Sequence, residues 1–67
     1  MSVAKVSEIS STSTVSFEDA VQRGIERASK TLRGIKSAWV KEMRVDVDNG
    51  KVVAYQVNLL ITFVLDE

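Results

Sequence analysis

Sixty-seven residues with nine basic and nine acidic side chains, zero formal charge, no cysteine and no histidine make one domain, 1–67, with no room for a second or for a deep catalytic cleft. The composition excludes disulfides, leaves a zinc staple without its usual ligands, and speaks against a nucleic-acid partner, because phosphate binding needs a net basic patch and these charges are dispersed. One helix on one sheet face offsets the conformational entropy of so short a chain only narrowly, so association between copies is expected to supply the rest.

The unbroken apolar runs, Leu59-Leu60-Ile61 among them, are far short of a membrane span. The N-terminus lacks the charged and apolar regions of a signal peptide, so a cytoplasmic protein with no membrane partner is expected.

Val3 to Ile9 alternates loosely and reads as a short strand. Ser10-Ser11-Thr12-Ser13-Thr14 then reads as a solvated loop that breaks it; without glycine, that run cannot cradle a phosphate. Ser16 is placed to cap a helix through the amide of Asp19, which sits at the capping-box position, and Glu18 and Asp19 complement the positive helix start. The helix is expected to end near Arg33, with Gly34 as a left-handed cap. Phe17, Ala20, Val21, Gly24, Ile25, Ala28 and Leu32 form one stripe at helical spacing, the sheet-facing side. Asp19, Arg23, Glu26, Arg27 and Lys30 form a solvated face with favourable pairs three and four residues apart.

Trp39 to Leu65 is the organising stretch: two extended runs joined by Asp48-Asn49-Gly50-Lys51. In the second run Val53, Tyr55, Val57, Leu59, Ile61, Phe63 and Leu65 alternate as one buried strand face. The intervening Val52, Ala54, Gln56, Asn58, Leu60, Thr62 and Val64 are too apolar for a face that meets only water and too polar for a second core, which points to contact between subunits. A two-residue Asn49-Gly50 loop would set Asp46, Arg44 and Glu42 across from core positions. A three-residue Asp48-Asn49-Gly50 loop with Gly50 as a left-handed bulge pairs Val53 with Val45 and Tyr55 with Met43 and brings Glu42 opposite Gln56; the second is the expected register. The elements then read as an α+β fold, β-α-β-β, with a three-stranded antiparallel sheet in order 1-3-2 packed on one helix.

Lys5-Val6, Ser29-Lys30-Thr31-Leu32-Arg33, Gly50-Lys51-Val52, Tyr55-Gln56-Val57 and Phe63-Val64-Leu65-Asp66 together resemble the dodecins, in order and over nearly the whole chain. The resemblance implies a helix wrapped by a three-stranded sheet and a hollow homododecamer of cubic symmetry. It also implies a storage or buffering role rather than an enzymatic one. Flavin-binding members hold pairs of flavins, FMN or riboflavin, at subunit interfaces, stacked on a tryptophan and hydrogen-bonded by a glutamine. Gln56 matches that glutamine, and Arg44 matches the arginine that follows the second strand's acidic residue, here Glu42. The family's tryptophan position falls on Ser37, and Trp39 stands two residues on, about 7 Å along the strand. An arginine frequent between the phenylalanine and leucine of the last strand is Val64 here.

Enzyme signatures are absent: with no histidine and no cysteine, the usual general base, the thiolate and the Ser-His pair are all missing. Trp39 reads either as a core aromatic beside Leu59 or as a platform for an isoalloxazine ring. Gln56 and Asn58 suit hydrogen bonds between subunits, and the Gln56 amide can both donate to and accept from a flavin's pyrimidine edge. Arg44 is placed to meet a phosphate or to pair with Glu42. In the expected register Trp39 and Gln56 lie on opposite sheet faces, so a flavin site built from both needs two subunits. The rival function is a dodecin-like shell without flavin that binds calcium, magnesium or another small ligand. Asp46-Val47-Asp48-Asn49-Gly50 resembles the start of a calcium loop, but its glycine is one position early and Val57 stands where the closing glutamate belongs.

Overall fold

The computed structural model describes residues 3–65; Asp66, part of the resemblance above, lies outside them. Strand β1 (Ala4–Ser13) leads into helix α1 (Phe17–Ser29), and then into the long hairpin of β2 (Ile35–Asp48) and β3 (Lys51–Val64). The sheet order is β1-β3-β2 with both pairings antiparallel, as the sequence predicts.

Strand β3 is central because it is the most apolar, and its helix-facing side is the core. Val57, Leu59 and Ile61 are fully buried there, joined by Ala20 and Ala28 of the helix. Gly24 completes the small-residue contact: a Cβ on it would stand 3.1 Å from both Leu59 Cδ1 and Ser11 Cβ. Phe17, Val21, Ile25 and Leu32 pack around this centre, and Phe17 meets the Tyr55 ring edge-on with centroids 5.1 Å apart. Val53 and Leu65, expected on the buried face, are exposed, because the core stops where the helix stops.

Three boundaries differ from expectation. The polar run after Ile9 is strand rather than loop as far as Ser13: Ser10 to Ser13 pair with Asn58 to Tyr55, so the ladder offered by β3 overrides their weak strand preference. The helix ends at Ser29 with Lys30 as its cap, not near Arg33. The amides of Thr31 and Leu32 both reach back to the Ala28 carbonyl, at 3.1 and 2.8 Å, closing the helix a turn early. Gly34 is left-handed, φ 73°, but it starts β2, its carbonyl accepting the Val64 amide at 3.0 Å. Ser16 does cap the helix, accepting from the Asp19 amide at 2.9 Å. The Asp19 carboxylate, however, turns to Ser13 and Arg23 instead of closing a capping box.

The hairpin register follows neither loop layout over its whole length. Asp48 pairs with Lys51 across a two-residue Asn49-Gly50 turn, both with positive φ (52° and 76°), the backbone twist that suits a tight hairpin. One residue, Val53, is then bulged out of β3, after which Val45 faces Tyr55, Arg44 faces Gln56 and Met43 faces Val57. The bulge restores apolar pairs on the core side, the same end that the three-residue loop was expected to serve. A second shift makes Lys41 the extra residue between Val40 and Glu42, and a third makes Lys36 the extra residue between Ile35 and Ser37.

Candidate ligand-binding face

Residues directly opposite in an antiparallel sheet share a face, so the pairings define the side away from the helix. Its rows include Val6, Thr62 and Ser37; Glu8, Leu60 and Trp39; Ser10, Asn58 and Glu42; Thr12, Gln56 and Arg44; then Ala54 and Asp46. The bulge at Lys41 reverses the alternation of β2 and brings Trp39 onto this face together with Gln56 and Arg44. The expectation that Trp39 and Gln56 lie on opposite faces is therefore corrected. Trp39 is opposite Leu60, not beside the buried Leu59, and is 65% exposed in the single chain; it takes no part in the chain's own core.

The outer face carries a mesh of hydrogen bonds. Gln56 Nε2 donates to Ser10 Oγ at 2.9 Å, and Asn58 Nδ2 donates to Glu42 Oε1 at 3.1 Å. Arg44 lies 3.7 Å from the Asp46 carboxylate, not in a pair with Glu42 as expected, because two residues on along the strand is the same face and the Glu42 carboxylate is taken up by Asn58. Lys41, set free by its bulge, crosses β3 to reach Glu8 at 3.3 Å. Glu42, Met43, Arg44, Gln56 and Asn58 line a shallow hollow of about 190 Å³. Among the described residues no three of His, Cys, Asp or Glu gather closely enough to hold a metal ion, and Asn49-Gly50 forms a hairpin turn rather than an ion-binding loop.

Trp39 and Gln56 are two rows apart, about 13 Å along the strand at the usual rise. That exceeds the half-length of a three-ring system plus one hydrogen bond, so one ring cannot lie flat on Trp39 and meet Gln56 of the same chain at its edge. Distance, not opposite faces, separates them. Ser10, Glu8 and Lys41 were not singled out in the sequence as residues of this face. The even positions of β1 could have marked the first two, but Lys41 belongs here only because of a bulge that carries no sequence signature.

The dodecin family model matches residues 3–66. The dodecin of Thermus thermophilus is 40% identical over 65 residues, 97% of this chain and 94% of the relative. The calcium dodecin of Mycobacterium tuberculosis is 35% identical over 63 residues, 94% and 89% of the two. Among solved structures, an arginine-to-alanine variant of the Thermus thermophilus dodecin superposes with a TM-score of 0.93 at 39% identity, covering 100% of this chain and 98% of that one. The Mycobacterium tuberculosis calcium dodecin, described as calcium-chelating with a novel calcium-binding site, gives 0.79 at 35% identity, covering 91% and 87%. The match runs through every strand, the helix and the long hairpin, and the chain belongs to the dodecin family.

Proposed function

We propose that this protein binds flavin, FMN or riboflavin, for storage or buffering, and that it does so as a hollow homododecamer in which Trp39 of one subunit and Gln56 of another meet the same ligand. The observation that carries the reading is the single tryptophan of the chain, 65% exposed on the same sheet face as Gln56. An indole left so open offers a flat apolar surface that a planar ring covers at little structural cost. Gln56 supplies an amide for the ring's polar edge, and Arg44, held opposite Gln56, borders that end of the site. A partner chain is needed because about 13 Å, four residues of strand rise, separates the Trp39 row from the Gln56 row. Binding rather than turnover suits a face without histidine, cysteine or an activated hydroxyl.

Titration with riboflavin or FMN tests it. Stacking on the indole should quench flavin emission and Trp39 emission together. Trp39→Ala should weaken binding by about 1 to 3 kcal/mol, taking base stacking on aromatic side chains as the analogue, and Gln56→Ala by about 1 kcal/mol. Unchanged Trp39 emission in an intact assembly would remove flavin from the reading.

A second reading has its own support: a relative 35% identical is named a calcium dodecin, and Glu42 and Asp46 share the outer face. Since one chain gathers no cluster of three ligands among the described residues, the ion would draw carboxylates from several copies around a symmetry axis. Calorimetry with calcium chloride on chelator-treated protein separates the readings: heat that is lost in Glu42→Gln favours the ion.

A further inference from the structure

We infer that the ligand of the outer face is an uncharged flavin, riboflavin or a smaller ring lacking phosphate, rather than FMN or a dinucleotide. This rests on the flavin reading above and specifies which flavin the face accepts.

Three observations point the same way. From the Trp39 row to the Asp46 row the outer face holds two cations, Lys41 and Arg44, against three carboxylates, Glu8, Glu42 and Asp46, a balance of two minus three, or one negative charge. Both cations already have a carboxylate partner: Lys41 lies 3.3 Å from Glu8 and Arg44 3.7 Å from Asp46. The outer positions of the central strand from Ala54 to Val64 carry no charge, and at its end Val64 faces Ala4, an apolar pair.

A phosphate carries close to two negative charges at neutral pH. To settle here it would have to share a cation with a carboxylate that stays beside it, and like charges held close disfavour one another. The face offers no compensation through geometry, since Lys41 is a single flexible point charge and Arg44 is turned along its own strand toward Asp46. Of the further basic residues of the hairpin, Lys36 is the extra residue of the bulge before Ser37, on the side of Trp39 away from Gln56, and Lys51 stands at the turn opposite the carboxylate of Asp48. A polyol meets no such obstacle. The hydroxyls of Ser10 and Thr12 and the amide of Asn58 stand between the Trp39 row and the hairpin, and all can exchange hydrogen bonds with sugar hydroxyls. Two copies of the face brought together around one ligand would double the carboxylate excess, strengthening the selection against phosphate.

The Lys41 and Glu8 pair is the determinant closest to the ring. Glu8 lies in the same row as Trp39 and Leu60, and Lys41 spans that row to reach it. The pair therefore fences the edge of the stacking platform with a lysine that already faces a carboxylate.

Parallel fluorescence titrations of the assembled protein with riboflavin and with FMN test this, at low and at physiological salt. Riboflavin should bind at least about tenfold more tightly than FMN, and the gap should narrow as salt screens the face. Glu8→Gln, which keeps the shape and releases Lys41, should shrink the FMN to riboflavin ratio by roughly threefold or more. FMN binding as tightly as riboflavin, with both quenching Trp39, would overturn the inference and leave flavin binding standing. If neither flavin quenches Trp39, the flavin reading falls and this inference with it. A wild-type preference that Glu8→Gln does not move would overturn the role given to the ion pair.

Discussion

Ser13 shows how a residue read as loop becomes structural. It is 6% exposed; its hydroxyl accepts from the Val15 amide at 2.9 Å and donates to the Asp19 carboxylate, which also receives Arg23 Nε at 2.7 Å. The Ser13 hydroxyl, and then the Arg23 guanidinium, hold the Asp19 carboxyl below the usual carboxylate range. A folded-state value below the unfolded one means stability that is present above the unfolded value and is lost as pH falls through the folded one. The ion pair itself is solvent-exposed and its share is small. Ser13→Ala should cost about 1 kcal/mol through the orphaned Val15 amide alone, plus the part that acts through Asp19. Urea melts at neutral pH and at a pH below the carboxylate range check this: the acid melt should show the smaller cost. An equal cost at both would show that Ser13 acts only on the turn.

At the scale of elements, the two left-handed glycines that flank β2 offer a matched test. Gly50 has φ 76° and open space where a Cβ would go, whereas Gly34 has φ 73° and would place its Cβ 3.0 Å from the Val64 carbonyl oxygen. That oxygen cannot yield easily, since the Val64 amide is tied to the Gly34 carbonyl at 3.0 Å. Gly50→Ala should therefore cost about 1 to 2 kcal/mol, the strain of a left-handed L-residue, and Gly34→Ala at least about 1 kcal/mol more, as overpacking is added. Denaturant midpoints at one protein concentration check the order.

The same elements show what a single sequence makes legible. The alternation from Tyr55 to Phe63 and the helical stripe from Phe17 to Leu32 fix strand, helix, order and core, because burial writes its period directly into apolar positions. The bulges at Val53 and Lys41 leave no such mark. They are set by the need to keep Val45 and Met43 over the core side while Asn49-Gly50 makes the tight turn, a compromise between distant residues. One shift of parity moved Trp39 to the outer face, so the chemistry of the site depended on the one feature that periodicity does not encode.

The molecule as a whole is elongated, 52 by 19 by 13 Å, for a simple reason: strands of fourteen residues run about 46 Å while the thirteen-residue helix covers only about 20 Å. The helix lies on β1 and β3, so β2 presents its helix-side residues bare. Val40, Met43, Val45 and Val47 are 46, 54, 39 and 61% exposed, an uninterrupted apolar strip of the kind that marks an association surface. Its cover in solution is expected to be other copies of the chain. A lysine at Val45 would place an unpaired charge in that contact at a cost of several kcal/mol, while the folded subunit, whose buried centre is Val57, Leu59 and Ile61, should keep its secondary structure. Light scattering should show a large assembly for the unaltered protein, a much smaller mass for Val45→Lys with an unchanged circular dichroism spectrum, and no change for Glu26→Lys on the solvated helix face. Leu60→Lys on the outer face tests the other surface in the same way. Val45→Lys retaining the full mass would show that the bare side of β2 meets water in the assembly, and that copies of the chain meet through the face that carries Leu60 and Trp39.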